Sequence, residues 1–242
     1  MQAQRTTTTQ QDGTTNYIKF EPNQKASLQE AKTILDQELQ LHADDELRMK
    51  SETTDQLGHS HIAYQQFYKG IKVENGKYTI HAKNGEVELM NGEFLKIKKM
   101  EVAPALSTQQ ALLKALDHIG AEKYMWESMP NELWAQQTEK RSTFLPEAEL
   151  VIIQNRYATD RAQQTQPVLT YKFDIYAEKP LSRDEIYVNA ASGEIVYVNP
   201  IIKRCFNSEG ESCGHDHSHD NHEHVDTGVK ALAEMLAAGT AA

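Results

Sequence analysis

The chain has few cysteines, no basic excess and no long apolar run. Only Cys205 and Cys213 occur among 242 residues. That excludes the multi-disulfide framework that staples small secreted folds; the pair can close one short loop, and a disulfide there would need an oxidising compartment. Lysine plus arginine number 25 against 35 aspartate plus glutamate, for a net charge of -10. A nucleic-acid binder needs a basic patch to displace phosphate counterions, so the balance argues against one. It also argues against docking on an anionic membrane. No apolar run approaches the roughly 18–20 residues that span a bilayer. Met1 to Thr15 is Gln/Thr-rich, without the apolar segment of a secretory signal. No Gly-rich loop precedes a helix, and H-E-x-x-H does not occur. His222-Glu223-His224-Val225-Asp226 begins that pattern and fails at Asp226, so one zinc ligand at helical spacing is lost.

What is present is enough apolar material for a core, 39% of residues, arranged as helix then strands, twice. Residues 1–15 read as a disordered leader. Ser27-Leu28-Gln29-Glu30 has the form of a capping box, and Leu28, Ala31, Leu35 and Leu39 continue one apolar stripe. From His61 the pattern alternates as strands do. Lys69-Gly70, Asn75-Gly76, Asn84-Gly85 and Asn91-Gly92 read as turns between them, Asn-Gly being the strongest short hairpin signal. Residues 61–98 are expected to form an antiparallel meander with one apolar face under the preceding helix.

The cycle repeats after Pro104. Ser107-Thr108-Gln109-Gln110 is a second capping box, Leu112, Leu116 and Ile119 its stripe, and Gly120 a C′ glycine. Residues 121–147 resist assignment. Strands are expected at Glu149 to Arg156, Val168 to Ala177, Glu185 to Asn189 and Glu194 to Val198, the last pair joined at Ser192-Gly193. Residues 206–226 are polar and His-rich, and Val229 to Ala238 is a short Ala-rich helix candidate. Helix-then-sheet, twice over, gives an α+β class with two modules in series, each a helix packed on an antiparallel β-sheet.

The segment His61-Ile62-Ala63-Tyr64-Gln65-Gln66-Phe67-Tyr68-Lys69-Gly70-Ile71-Lys72-Val73 resembles the fungalysin/thermolysin propeptide motif, and the likeness continues through Tyr78-Thr79-Ile80-His81, Gly85-Glu86-Val87 and Asn91-Gly92. Pro180 to Ala190, followed by Ala191-Ser192-Gly193-Glu194-Ile195-Val196, resembles the end of a PepSY domain, with Asn189 where aspartate is common. Together the likeness spans roughly residues 20–200. In the precursors of thermolysin-like zinc metalloproteases these modules stand in this order before the protease.

The resemblance implies two cystatin-like modules, at 16–100 and 101–204, and a His-rich linker at 205–242. Gly239-Thr240-Ala241-Ala242 looks like the entry to a catalytic domain. It implies a secreted or cell-envelope setting and a monomer whose partner is the cognate metalloprotease catalytic domain. That domain would hold zinc and calcium, while this chain requires no cofactor. The implied role is that of a propeptide: it templates folding of the protease and inhibits it, with a segment around Pro200 to Phe206 in the cleft until cleavage. The alternative is a freestanding binding module of the cell envelope, either a protease inhibitor acting in trans or a metal-binding protein with a His-rich tail.

The motif positions carried over as scaffold or partner surface are His61, Tyr64, Gln65, Gly70, Val73, His81, Gly92, Tyr187 and Gly193. No catalytic residue is expected. His215, His217, His219, His222 and His224, interleaved with Asp216, Asp220 and Glu223, have the chemistry of zinc, nickel or copper ligands; the competing reading is a solvated linker. Cys205 and Cys213 would form a disulfide in an exported protein, or join the histidines on a metal. His59 and His81 read as packed or edge residues, and Tyr64, Tyr68, Tyr78, Tyr187 and Tyr197 as core or cross-strand partners. Gly70, Gly76, Gly85, Gly92 and Gly193 read as turn glycines.

Overall fold

A computed structural model describes residues 5–10, 13–22, 25–128, 145–155, 164 and 166–203. The chain divides into two compact units, Met1–Ala103 with Leu150–Leu169, and Pro104–Glu149 with Thr170–Ala242.

The first unit contains strands β1 (Arg5–Thr9), β2 (Thr15–Phe20) and β3 (Ala26–Ser27), helix α1 (Leu28–Leu39), then β4 (Asp45–Thr54), β5 (His59–Tyr68), β6 (Ile71–Lys83) and β7 (Glu86–Glu93). The strands lie in the order β4-β5-β6-β7-β2-β1, antiparallel throughout, with β3 also on β7. Residues 5–9, expected in a disordered leader, are strand β1: its threonines pair with β2 from Arg5↔Phe20 onward. Ladder hydrogen bonds order this polar segment, and those have no hydrophobic signature to read.

Helix α1 starts as expected. The Glu30 carboxylate accepts from the Ser27 amide (3.2 Å) and hydroxyl (2.6 Å). It ends at Gln40 in the left-handed region. Its stripe is buried: Ala31, Leu35 and Leu39 meet Ile18, Phe20, Leu47, Ile62, Tyr78, Ile80, Val87, Met90 and Phe94 from the sheet. Full burial of Leu35 and Leu39 contributes about 1.5–3 kcal/mol each.

Two of the four expected turns form. Lys69-Gly70 (φ 46° and 80°) joins β5 to β6, and Asn84-Gly85 (φ 52° and 82°) joins β6 to β7, both with the paired positive φ of a type I′ turn. Asn75-Gly76 and Asn91-Gly92 lie inside β6 and β7, so neither is a turn, and neither glycine has positive φ. They are glycines because another chain segment occupies the space of a Cβ. A Cβ on Gly76 would fall 2.5 Å from Gln66 Oε1, and one on Gly92 would fall 2.6 Å from Tyr78 Cα.

Strand β9 (Glu149–Gln154) pairs in parallel with the start of β6, Lys72↔Val151 and Val73↔Ile152. Leu150–Leu169 therefore belongs to the first unit, where the repeat pattern had suggested the second module. A long-range parallel pairing leaves no local mark, because a buried strand is only an apolar run.

The second unit, among the described residues, holds α2 (Thr108–Ile119), β8 (Lys123–Tyr124), α3 (Met125–Ser128), β10 (Pro167–Lys179, from Thr170 onward), β11 (Ser182–Asn189) and β12 (Ile195–Pro200). β8, β10, β11 and β12 pair antiparallel in that order. Helix α2 packs on β11 and β12 with Ala111, Leu112, Ala115 and Leu116 buried. Its capping box is reciprocal: Ser107 Oγ accepts from the Gln110 amide (3.2 Å), and Gln110 Oε1 accepts from the Ser107 amide (2.9 Å). Gly120 closes the helix at φ 60°. Substituting Ser107 by alanine should cost about 1 kcal/mol and lower the melting midpoint by about 2–4 °C, measured by calorimetry.

No helix among the described residues is long and apolar enough to cross a membrane. The architecture is α+β, with few helices laid on extensive antiparallel pairing.

Candidate functional site

The motif residues of β5 and β6 divide into those that build the hairpin and those that face outward. Between the pairs Gln65↔Lys77 and Phe67↔Lys72, one residue of β5 stands against four of β6, Val73 to Gly76. This bulge would leave carbonyls without ladder partners. Gln65, 6% exposed, supplies them: its Nε2 donates to Val73 O and to Gly76 O (2.9 Å). Gln66, fully buried, points the other way. Its Nε2 donates to Leu95 O (2.8 Å) and its Oε1 accepts from Leu95 N (2.9 Å). The adjacent glutamines are thus two internal backbone clamps, one for the bulge and one for the chain leaving β7. Of the two, Gln65 is among the motif positions expected from sequence and Gln66 is not. The dipeptide itself was the available signal, since two polar residues in succession break a strand's alternation.

Tyr68 and Val73, each 1% exposed, form a second small core with Ile97 and Ile152, and the Tyr68 hydroxyl accepts from the Met100 amide (3.3 Å). Gly70 is in the turn. Tyr64 packs on the edge of the main core, with Lys32 Nζ 5.8 Å above its ring. Tyr78 is buried and donates to Thr15 O (3.1 Å); burial pushes its hydroxyl far above the ordinary tyrosine range.

His61 and His81 face out. They are register partners on β5 and β6, their Nδ1 atoms are 2.8 Å apart, and His81 Nε2 lies 2.8 Å from Asn91 Oδ1 on β7. On that sheet face Thr53 stands opposite His61, Leu89 on β7 is the register partner of His81, and Thr79 and Lys83 flank His81 along β6.

Asp45, at the start of β4, is half-buried. Burial raises its carboxyl above the usual range, opposed by the His42 amide, the His42 side chain and the Gln66 side chain. A raised folded-state pKa means that the native state pays for ionising this group at neutral pH, and that the cost fades as pH falls through the folded value. Asp45→Asn is therefore expected to melt higher than the parent at pH 7, with the difference shrinking toward pH 4. A thermal series across that range checks both the sign and the convergence.

In the second unit, Tyr187 is buried beside Tyr197 on β12 (ring centroids 5.4 Å) with Lys172 Nζ 5.6 Å above its ring. Asn189 Oδ1 accepts from the amides of Ala191 (2.8 Å) and Ser192 (3.1 Å), and Gly193 follows at φ 78°. The turn needs a side-chain acceptor, not a charge, so asparagine serves where aspartate is common in the PepSY pattern. A Cβ on Gly193 would stand 3.2 Å from Leu106 Cδ1. The Tyr124 hydroxyl donates to Leu116 O (3.1 Å), and burial raises it to about 12.

No three or more His, Cys, Asp or Glu side chains converge as a metal site among the described residues. Cys205, Cys213, Phe206, the histidines 215, 217, 219, 222 and 224, and the expected helix from Val229 lie outside the described residues. Of the segment around Pro200, β12 ends at that proline, and the Ile201 and Ile202 amides donate to Arg183 O (2.8 and 3.2 Å).

Residues 45–94 match the family model of the Fungalysin/Thermolysin Propeptide Motif. The match starts with β4 and ends just past β7, so it encloses both turns, the bulge and both glutamines, and stops one residue short of Leu95, the partner of Gln66. No curated protein matches the chain. Among solved structures, the YpeB C-terminal domain of Bacillus megaterium is 18% identical, covering 79% of this chain and 74% of that one, at a TM-score of 0.35. A Clostridium difficile 630 protein described as a lipoprotein is 15% identical, covering 73% and 93%, at a TM-score of 0.25. At these scores neither likeness carries an argument about fold or function.

Proposed function

We propose that the chain is the N-terminal propeptide of a secreted thermolysin-like zinc metalloendopeptidase, serving as intramolecular chaperone and inhibitor of the catalytic domain until it is cleaved away. The observation that carries this reading is the propeptide-motif match over residues 45–94. Two others support it. The buried polar groups of the motif, Gln65 and Gln66, are spent on the chain's own backbone, which suits a scaffold and not a catalyst. The sequence also lacks H-E-x-x-H. Function then resides in surfaces. While propeptide and protease are one chain, the effective concentration is high and modest contacts inhibit; cleavage removes that advantage. The second unit, with its PepSY-like ending, would present the stretch after Val198 to the cleft. Zinc and calcium belong to the protease, and the two modules are read as cystatin-like.

The test uses the chain in trans with its cognate catalytic domain. Denatured protease should regain activity faster and to a higher yield with the chain present, and native protease should hydrolyse peptide more slowly at micromolar excess of the chain. Unchanged refolding yield together with an unchanged rate would overturn the proposal. Inhibition without any refolding effect would instead favour a binding module that acts in trans.

A further inference from the structure

The outward face of the first unit carries two motif histidines to which the propeptide reading gives only a scaffold or partner-surface role. We propose that His61 and His81 form a binding site for one divalent cation of the zinc, nickel or copper class, with Asn91 as the residue that orients it. The inference is independent of the propeptide reading.

Asn91 Oδ1 only accepts, so at 2.8 Å it takes the hydrogen of His81 Nε2. The neutral His81 ring therefore leaves Nδ1 bare, with its lone pair directed at His61 Nδ1, 2.8 Å away. In the metal-free pair, His61 Nδ1–H donates into that lone pair. His61 has a second tautomer with its hydrogen on Nε2. That tautomer presents a second lone pair to the same point, and a cation then replaces the bridging proton. The ring hydrogen of His61 moves from Nδ1 to Nε2 through solvent, and no net proton is released from the neutral pair.

The geometry is close to what such an ion needs. The ring planes are 81° apart with centroids at 4.9 Å, so the two nitrogens converge on one point and the rings do not stack. Zinc–imidazole bonds of about 2.0–2.1 Å in a tetrahedral arrangement require the nitrogens to separate to about 3.3 Å. Rotation of the exposed His61 ring supplies that half ångström. The pairing of ligand imidazole with an acceptor on its far nitrogen is the arrangement that fixes tautomer and ring orientation at metal sites. Imidazole selects the zinc, nickel and copper group over calcium or magnesium. Water completes the coordination, since this face is open. Of the nearby charges, Asp55 lies within electrostatic reach of His61 and favours a cation. Lys83, next along β6 on the same face, opposes it, and being exposed it is screened at ordinary salt.

The experiment uses the full chain with His215, His217, His219, His222 and His224 changed to asparagine, so that the tail does not compete. Titration with nickel or zinc chloride should show one equivalent bound. His61→Ala or His81→Ala should weaken binding about tenfold or more, and Asn91→Ala by about tenfold, as for orienting residues elsewhere. Long-range nitrogen NMR should show zinc shifting Nδ1 of both rings while His81 Nε2 keeps its hydrogen. Absence of binding at millimolar metal, binding indifferent to both alanine changes, or Nδ1 resonances that do not move would each overturn the proposal. The nitrogen measurement needs no substitution at 61 or 81, so it decides even where an alanine variant loses its fold.

Discussion

Gly92→Ala should be among the most damaging single changes in this protein, lowering the melting midpoint of the first unit by about 6–12 °C. The backbone at Gly92 is not in the left-handed region, so the cost is not conformational. It is steric. A Cβ there would sit 2.2 Å from Lys77 O, 2.6 Å from Tyr78 Cα and 2.8 Å from the Tyr78 ring. Two of those three atoms are backbone of the paired strand β6, and the third belongs to a side chain 1% exposed and tied by its hydroxyl to Thr15 O. Nothing nearby can swing away, so β6 and β7 must part or Tyr78 must leave the core. Overpacking ordinarily costs about 1–3 kcal/mol, and rigid obstacles put this case at the upper end. Gly85→Ala is the matched control. Its φ is +82° with nothing within 4 Å of a Cβ, so it should show only the left-handed penalty of about 1–2 kcal/mol. Equal losses from the two substitutions, measured by calorimetry or denaturant titration, would contradict the steric account. Under the propeptide proposal, its loss would also reduce the refolding yield of the protease in parallel with stability.

Gln66→Ala is the second large expected effect, at about 2–4 kcal/mol, because it removes the bonds to both the amide and the carbonyl of part-buried Leu95 and leaves a void where a fully buried side chain stood. Gln66 has no exposed surface, and it makes both ends of a two-way bond to one peptide residue. The same side chain occupies the space that a Cβ on Gly76 would need, with Gln66 Oε1 at 2.5 Å and Gln66 Cβ at 2.6 Å. Gly76→Ala alone should therefore destabilise. In the Gln66→Ala background it should cost less, because Oε1 is gone, although Cβ remains. A double-mutant cycle should show coupling of about 1 kcal/mol or more with the sign of relief. Strict additivity would mean that the glycine is there for some other reason.

These two glycines show what local sequence conveys. An Asn-Gly pair is compatible with a turn, and at Asn84-Gly85 it makes one. At Asn75-Gly76 and Asn91-Gly92 the same dipeptide marks a place where another segment comes too close for a side chain. The two causes leave the same letters, and only the position of Gln66 or Tyr78 in space separates them. Cysteine spacing and the histidine run, by contrast, are features of composition, and they concern residues beyond those described.

The helices were legible because their signals are local. Ser27 with Glu30, Ser107 with Gln110, and Gly120 act within one turn of chain, and the stripes Ala31-Leu35-Leu39 and Leu112-Leu116 follow from the helical repeat alone. The turns at Lys69-Gly70 and Asn84-Gly85 were legible for the same reason. The likeness to the propeptide motif was recognisable from the run His61 to Gly92, while its first strand, β4 at Asp45–Thr54, was not read. What the letters left open was most pairings between residues distant in sequence. These are the strand status of Arg5–Thr9, the parallel pairing of β9 with β6, the division of labour between Gln65 and Gln66, and the meeting of His61, His81 and Asn91. Such pairings depend on register, and a one-residue slip sends every side chain of a strand to its other face. Amino-acid type and spacing therefore determined that this protein is α+β with hairpins resembling the propeptide motif; tertiary packing decided which polar groups hold those hairpins together and which face outward.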